Sequence, residues 1–249
     1  MKTPLGPVLA SLLACLGTAP GEARQGAAPQ EKVSATPGMR LTYEEKLRDT
    51  EQGFEMVHYA LKTDGFPRDQ RYALYGRWMD GRSTEVTRGI RIDESGYVRD
   101  AKGEEFTLSL GRMFPGELAT FALVSEDGTA KAFVEITPFP IQAEGKGGCR
   151  LAVRPMDAHG QAFIITGSGF GPNKKLKTVS TSVNEVMYET RDGRSDGTLP
   201  KQVIFPAVVG RTGGDASYEA SDSACSVKVR YKWGDEMREK PAAARQPTP

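Results

Sequence analysis

"ITGSGFGPNKK" (Ile165–Lys175) decides the fold, because its three glycines and one proline make either a phosphate cradle or a turn between strands. A dinucleotide loop needs a glycine at its sixth position and a helix behind it, so that backbone N–H groups and the helix N-terminus meet the phosphate. Counting from Gly167, the sixth place is Pro172. Lys174 to Val183 then alternates like a strand and shows no helical period. No Gly-Lys-Ser/Thr follows, so a P-loop is excluded as well. The stretch reads as a turn.

Strand signals extend outward from it. In "CSVKVRYKWG" (Cys225–Gly234), Val227, Val229, Tyr231 and Trp233 alternate with Ser226, Lys228, Arg230 and Lys232, the pattern of a half-buried strand. "KAFVEI" places Ala132, Val134 and Ile136 on one face, and "FTLSL" does the same with Phe106, Leu108 and Leu110. Turn dipeptides recur at Asp64-Gly65, Asp80-Gly81, Ser95-Gly96, Asp127-Gly128, Asp192-Gly193 and Asp196-Gly197. Only Thr42 to Thr50, opened by the capping-box pattern Thr42-Tyr43-Glu44-Glu45, reads as helix. The expected class is all-β, with β-sandwiches after a short helical lead-in over 41–53.

Three landmarks occur twice in the same order. "TDGFPRDQRYAL" (Thr63–Leu74) lies over "GSGFGPNKKLKT" (Gly167–Thr178), and "ESGYV" (Glu94–Val98) over "SDGTL" (Ser195–Leu199). "PGELATFALVSEDGTAKAFVEI" (Pro115–Ile136) lies over "TGGDASYEASDSACSVKVRY" (Thr212–Tyr231). The expectation is a pair of tandem sandwich modules, 54–141 and 148–234.

The chain has 249 residues with 33 basic and 32 acidic side chains, a net charge of +1. That balance implies no long-range steering toward nucleic acid. The N-terminus, "MKTPLGPVLASLLACLGTAP", carries Lys2 before an apolar run shorter than the roughly 18 residues that a membrane span needs. It has the layout of a secretory signal over 1–18. "LLAC" (Leu12–Cys15) resembles a lipobox, which implies lipidation of Cys15 and a membrane anchor. Residues 19–40 and 235–249 are rich in Ala, Pro, Gly and charged or amide residues, and read as a disordered linker and tail. Setting Cys15 aside leaves Cys149 and Cys225. In an oxidising compartment this even pair is expected to form one disulfide.

"RPMDAHGQAFIITGSGFGP" (Arg154–Pro172) resembles the opening of IPT/TIG-type immunoglobulin-like modules. Pro155, Gly160 and Ile165 to Gly171 occupy the family's proline, glycine and "ItGxxFg" places, and Pro206 and Gly210 fit its second half. The resemblance implies exported spacer, adhesion or binding modules without catalytic chemistry.

Catalytic motifs are sparse. The two histidines are His58, in the apolar run "FEMVHYAL", and His159, in the turn "DAHG". A satisfied strand histidine and an exposed turn histidine are the expected readings. No Gly-x-Ser-x-Gly occurs. Two histidines and a bridged cysteine pair predict no zinc site, and no cofactor is expected. "DGRSDG" (Asp192–Gly197) fails as an EF-hand, with Arg194 at the third place and Val203 at the twelfth. In "RYALYGRW", Tyr72, Leu74 and Trp78 share the expected core face, leaving Tyr75 and Arg77 as the surface-binding candidates. "NKKLK" (Asn173–Lys177) lacks the aromatics of a nucleic-acid site.

The expected function is a non-catalytic, extracytoplasmic binding or structural protein of the cell envelope. It is expected to be periplasmic or at the cell surface as a lipoprotein, with an envelope protein or polysaccharide as partner. The alternative is a carbohydrate-active protein, a hydrolase or binding accessory, using loop carboxylates and exposed aromatics.

Overall fold

The computed structural model describes residues 34–51 and 53–238. The signal, Cys15 and most of the linker and tail lie outside the described residues. The first eight strands are β1 (Arg40–Glu51), β2 (Phe54–Asp64), β3 (Tyr72–Arg77), β4 (Ser83–Ile92), β5 (Val98–Arg99), β6 (Thr107–Gly111), β7 (Ala119–Ser125) and β8 (Lys131–Ile136). They form the sheets β1-β2-β6 and β5-β4-β3-β7-β8. The next eight are β9 (Ile141–Glu144), β10 (Arg150–Pro155), β11 (Phe163–Ser168), β12 (Lys175–Ser182), β13 (Glu185–Asp192), β14 (Leu199–Ile204), β15 (Gly213–Ser221) and β16 (Ser226–Gly234). They form β14-β11-β10-β9 and β13-β12-β15-β16.

The two halves share one topology. The order β1-β2-β6 with β4-β3-β7-β8 repeats as β10-β11-β14 with β13-β12-β15-β16. This three-plus-four antiparallel order is that of an immunoglobulin-like sandwich. β5 extends the first copy beside β4, and β9 extends the second beside β10. The sequence landmarks fall on equivalent places. Gly96 and Gly197 both have positive φ, and their carbonyls accept from the first-landmark segments, from Thr63 N–H in one copy and, three aligned places further on, from Phe170 N–H in the other. A Cβ at either glycine would stand 2.6 or 2.5 Å from the carbonyl oxygen of that same residue.

Each half buries its own core. Tyr72, Leu74, Phe121 and Leu123 fill the first, and Phe163, Tyr218, Tyr231 and Trp233 the second. The faces follow the alternation, with Val227, Val229, Tyr231 and Trp233 all inward. Cys149 and Cys225 are bonded, with Cα atoms 6.1 Å apart, and join the chain just before β10 to that just before β16.

The expected lead-in and the expected segment boundaries are corrected. The lead-in is strand β1, not helix, because it pairs with β2 from Arg40↔Asp64 to Glu51↔Phe54. That pairing buries Leu41 and stacks Tyr43 edge-on against Tyr59 at 5.3 Å. Tertiary pairing thus overrides the helical propensity of "YEEKLR". The first sandwich therefore starts at β1 rather than at 54, and the second starts with β9 rather than at 148. The linker's end is docked, since Thr36 N–H donates to the Lys131 carbonyl. The tail's start forms one 3-10 turn, Asp235–Arg238, that buries Met237.

Candidate functional site

The glycine turn meets an anion of its own. Gly171 N–H donates to Asp222 Oδ2 at 2.7 Å, while Asp222 Oδ1 accepts from Ala224 and Cys225 N–H at 2.7 Å each. The Gly171 bond, with the two turn bonds, holds the Asp222 carboxyl below its ordinary range. The loop, the β15–β16 turn and the disulfide therefore close one end of the second sandwich.

Most other loop aspartates act alike. Asp80, Asp127 and Asp196 accept the N–H two residues ahead, from Arg82, Thr129 and Thr198. Their own turns hold them low: Arg82 N–H lowers Asp80, the Ser125 hydroxyl lowers Asp127, and the Thr198 hydroxyl lowers Asp196. Each carboxylate shifted among the described residues is shifted downward. A general acid requires the opposite direction. Lys175 of the basic patch pairs with Asp192 at 2.7 Å on the surface. His159 lies in its turn as expected, 3.2 Å from the Arg238 guanidinium.

Tyr75 and Arg77 occupy the outer face of β3, opposite Tyr72 and Leu74, and both are half-buried. Tyr75 lies across from Glu85, whose carboxylate takes Arg88 at 3.0 and 2.5 Å. Burial raises the Tyr75 phenol. These two residues form part of a packed sheet surface, not an open aromatic platform. The well-exposed aromatics are Tyr188, 76% exposed, and Phe205, 72% exposed, both in the second sandwich.

An open concavity lies at the end of the first sandwich. A groove of about 460 Å³ is lined by the start of β1, the end of β2 and the turns after β2 and β4. Arg40, Lys62 and Arg68 bring three cations to it against the single carboxylate of Asp64. The Lys62 ammonium stands 5.3 Å over the Tyr97 ring, and its charge is among those that lower the Glu44 carboxyl. Among the described residues, no carboxylate lies within ion-pair distance of Arg40 or Arg68. Sequence reading missed this groove, since its cations come from separate segments. The one available signal was Arg68 beside the Gly65-Phe66-Pro67 turn.

A second cluster lies on the outer face of the β1-β2-β6 sheet. His58 Nε2 is 3.3 Å from Asp49 Oδ1 and 3.8 Å from Glu51 Oε1, and its Nδ1 is 2.8 Å from Ser109 Oγ. The strand histidine is satisfied, as expected. Its partners bring three potential ligand atoms within 4.8 Å of one another, a grouping that the sequence did not bring together.

No protein-family model matches the chain, and no curated protein matches it. Among solved structures, the chain is similar to a tetra-tandem repeat in the extending region of a large adhesion protein. That crystal structure is 12% identical with a TM-score of 0.26, and the match covers 79% of this chain and 48% of the other. The chain spans about half the length of that structure. Among the described residues, no helix is long and apolar enough to cross a membrane.

Proposed function

We propose that this chain is an extracytoplasmic, non-catalytic binding protein whose contact surface is the cationic groove of the first sandwich, taking the acidic groups of an envelope polysaccharide. The observation that carries this reading is the set of three cationic residues, Arg40, Lys62 and Arg68, lining a polar groove with one carboxylate residue, Asp64. Such a groove favours a polyanion and discriminates against neutral chains. The IPT/TIG resemblance of Arg154–Pro172 fits a second sandwich that acts as spacer, and the buried Cys149–Cys225 bond suits an oxidising compartment. On this reading Cys15 carries the membrane anchor. An intact mass of the native protein without an acyl adduct on that residue would remove the anchor. The hydrolase alternative is disfavoured by loop carboxylates engaged as turn acceptors and held low.

The test is co-sedimentation of the protein with a carboxylated polysaccharide and with a neutral glucan. Binding is expected to the acidic polymer alone and to fall as salt rises. At about 1 kcal/mol or less per surface charge pair, the R40A/R68A double variant should bind roughly tenfold more weakly. Equal binding to the neutral glucan, or no change in R40A/R68A, would sink the proposal.

A further inference from the structure

We infer that Asp49, Glu51 and His58 form a site for a divalent cation of the zinc class. The geometry starts from a β-bulge. Pairing of β1 with β2 runs in register to Glu45↔Tyr59, skips Lys46, and resumes at Leu47↔His58. The extra residue reverses the parity of β1. Glu45 shares the face of the core residue Tyr59, whereas Asp49 and Glu51, opposite Met56 and Phe54, share the outer face with His58. Without the bulge both carboxylates would point to the core side. Bulges re-aim side chains in this way.

Both carboxylates stand at coordination spacing from the imidazole, and all three donor atoms lie within 4.8 Å of one another. Tetrahedral ligands about 2.1 Å from a metal stand about 3.4 Å from one another. The two distances from His58 Nε2, 3.3 and 3.8 Å, straddle that value. Ser109, directly across from His58 on β6, engages Nδ1 at 2.8 Å. With an ion bound, the serine hydroxyl would accept Nδ1–H and leave the Nε2 lone pair for the metal. Such outer-shell contacts fix the tautomer of metal-bound histidines. Two carboxylates and a neutral imidazole carry the charge that offsets a divalent ion. Among the described residues, the ion pairs of Asp49 and Glu51 are with His58 alone. Nearby Arg48 is held by Glu45 and Glu55, and Arg112 lies over the Phe54 ring at 4.2 Å.

The nitrogen donor and the small ligand number select the ion. Calcium takes six to eight oxygens and magnesium six, whereas one imidazole with two carboxylates suits zinc and its neighbours. Three protein ligands leave a fourth position to solvent. A bound ion would clamp β1 to β2 beside their connecting turn.

Equilibrium dialysis of the untagged full chain with zinc chloride tests this site, with cobalt absorption reporting coordination. The wild-type protein should bind one ion saturably and give the intense visible bands of four-coordinate cobalt. D49N and H58Q should each lose about tenfold or more in affinity, S109A severalfold, and H159Q nothing. D49N alters a half-exposed carboxylate, so an unchanged circular dichroism spectrum separates lost binding from lost folding. Absence of saturable binding, six-coordinate cobalt spectra alone, or equal binding by wild-type, D49N and H58Q would each overturn the inference.

Discussion

Reducing the Cys149–Cys225 bond should destabilise the second sandwich and leave the first nearly untouched. The bond closes a loop of sequence separation 76 that contains β10 to β15, all within the second sandwich. Constraining a denatured chain by a loop of that length is worth about 4.5 kcal/mol at 25 °C. A domain of this size is stable by only about 5–15 kcal/mol, so the loss is a large fraction of the whole. With a urea slope of about 1.5 kcal/mol per molar, the midpoint falls by about 3 M. The chain supplies one reporter per sandwich: Trp78 packs edge-on against Phe121 in the first core, and Trp233 is buried in the second. Trp233 Nε1 has no hydrogen-bond partner among the described residues, so Trp233→Phe forfeits none, and Trp78→Phe isolates the other signal. Urea titrations of both variants, with and without reductant, should show the Trp233 transition moving and the Trp78 transition shifting by under about 1 M. The small residual is the contact of Met79 and Phe114 with the second core. Equal movement of both transitions, or less than about 1 M at Trp233, would refute two cores with a bond that constrains only one.

Two further outcomes follow from the same geometry. Because the Asp222 carboxyl is depressed in the folded state, its contribution is present above the unfolded value of about 3.9 and is lost as pH falls through the folded value. Acid titration of the Trp233 midpoint should therefore be flatter in D222N than in wild-type below about pH 4, with D222N less stable at pH 7; parallel curves would dissociate Asp222 from the acid transition. The two faces of β3 should also separate in thermal melts. Leu74→Ala, at a fully buried position, should cost about 2–5 kcal/mol, and Tyr75→Phe, on the outer face, under about 1 kcal/mol; a larger loss for Tyr75→Phe would put the wrong residues inside.

Strands with clean alternation were legible residue by residue. "KAFVEI" coincides with β8, and Tyr72 and Leu74 lie inside as the pattern of "RYALYGRW" implies. β1 was not legible, because its charged residues are good helix formers and only the partner strand makes them extended. The metal cluster was hidden for a related reason. Alternation places Asp49 and Glu51 with Tyr43 and Glu45, and the bulge at Lys46 that reverses them has no glycine or proline to announce it. Groove cations contributed by β1, β2 and the following turn converge only in three dimensions.

The equivalent loop ends of the two sandwiches are built differently. The turns Gly65-Phe66-Pro67 and Gly169-Phe170-Gly171 are equivalent, each with a buried phenylalanine and a positive-φ glycine packed against a carbonyl of the preceding segment, Gly38 or Gly148. They differ at one position. Gly171 has an N–H, which it donates to Asp222, and that bond draws the β15–β16 turn over the end of the sandwich beside the disulfide. Pro67 has no N–H to donate. Its carbonyl instead accepts the Tyr72 hydroxyl, and the corresponding β7–β8 turn is tied to the β2–β3 segment three residues further on, where Gln70 Nε2 donates to Asp127 at 3.5 Å and Glu126 N–H to the Arg71 carbonyl at 3.0 Å. The residue after Pro67 is Arg68, which lines the groove together with Arg40 and Lys62. One scaffold thus carries a turn bonded to Asp222 beside a disulfide in one copy and an arginine-bearing turn beside a cationic groove in the other.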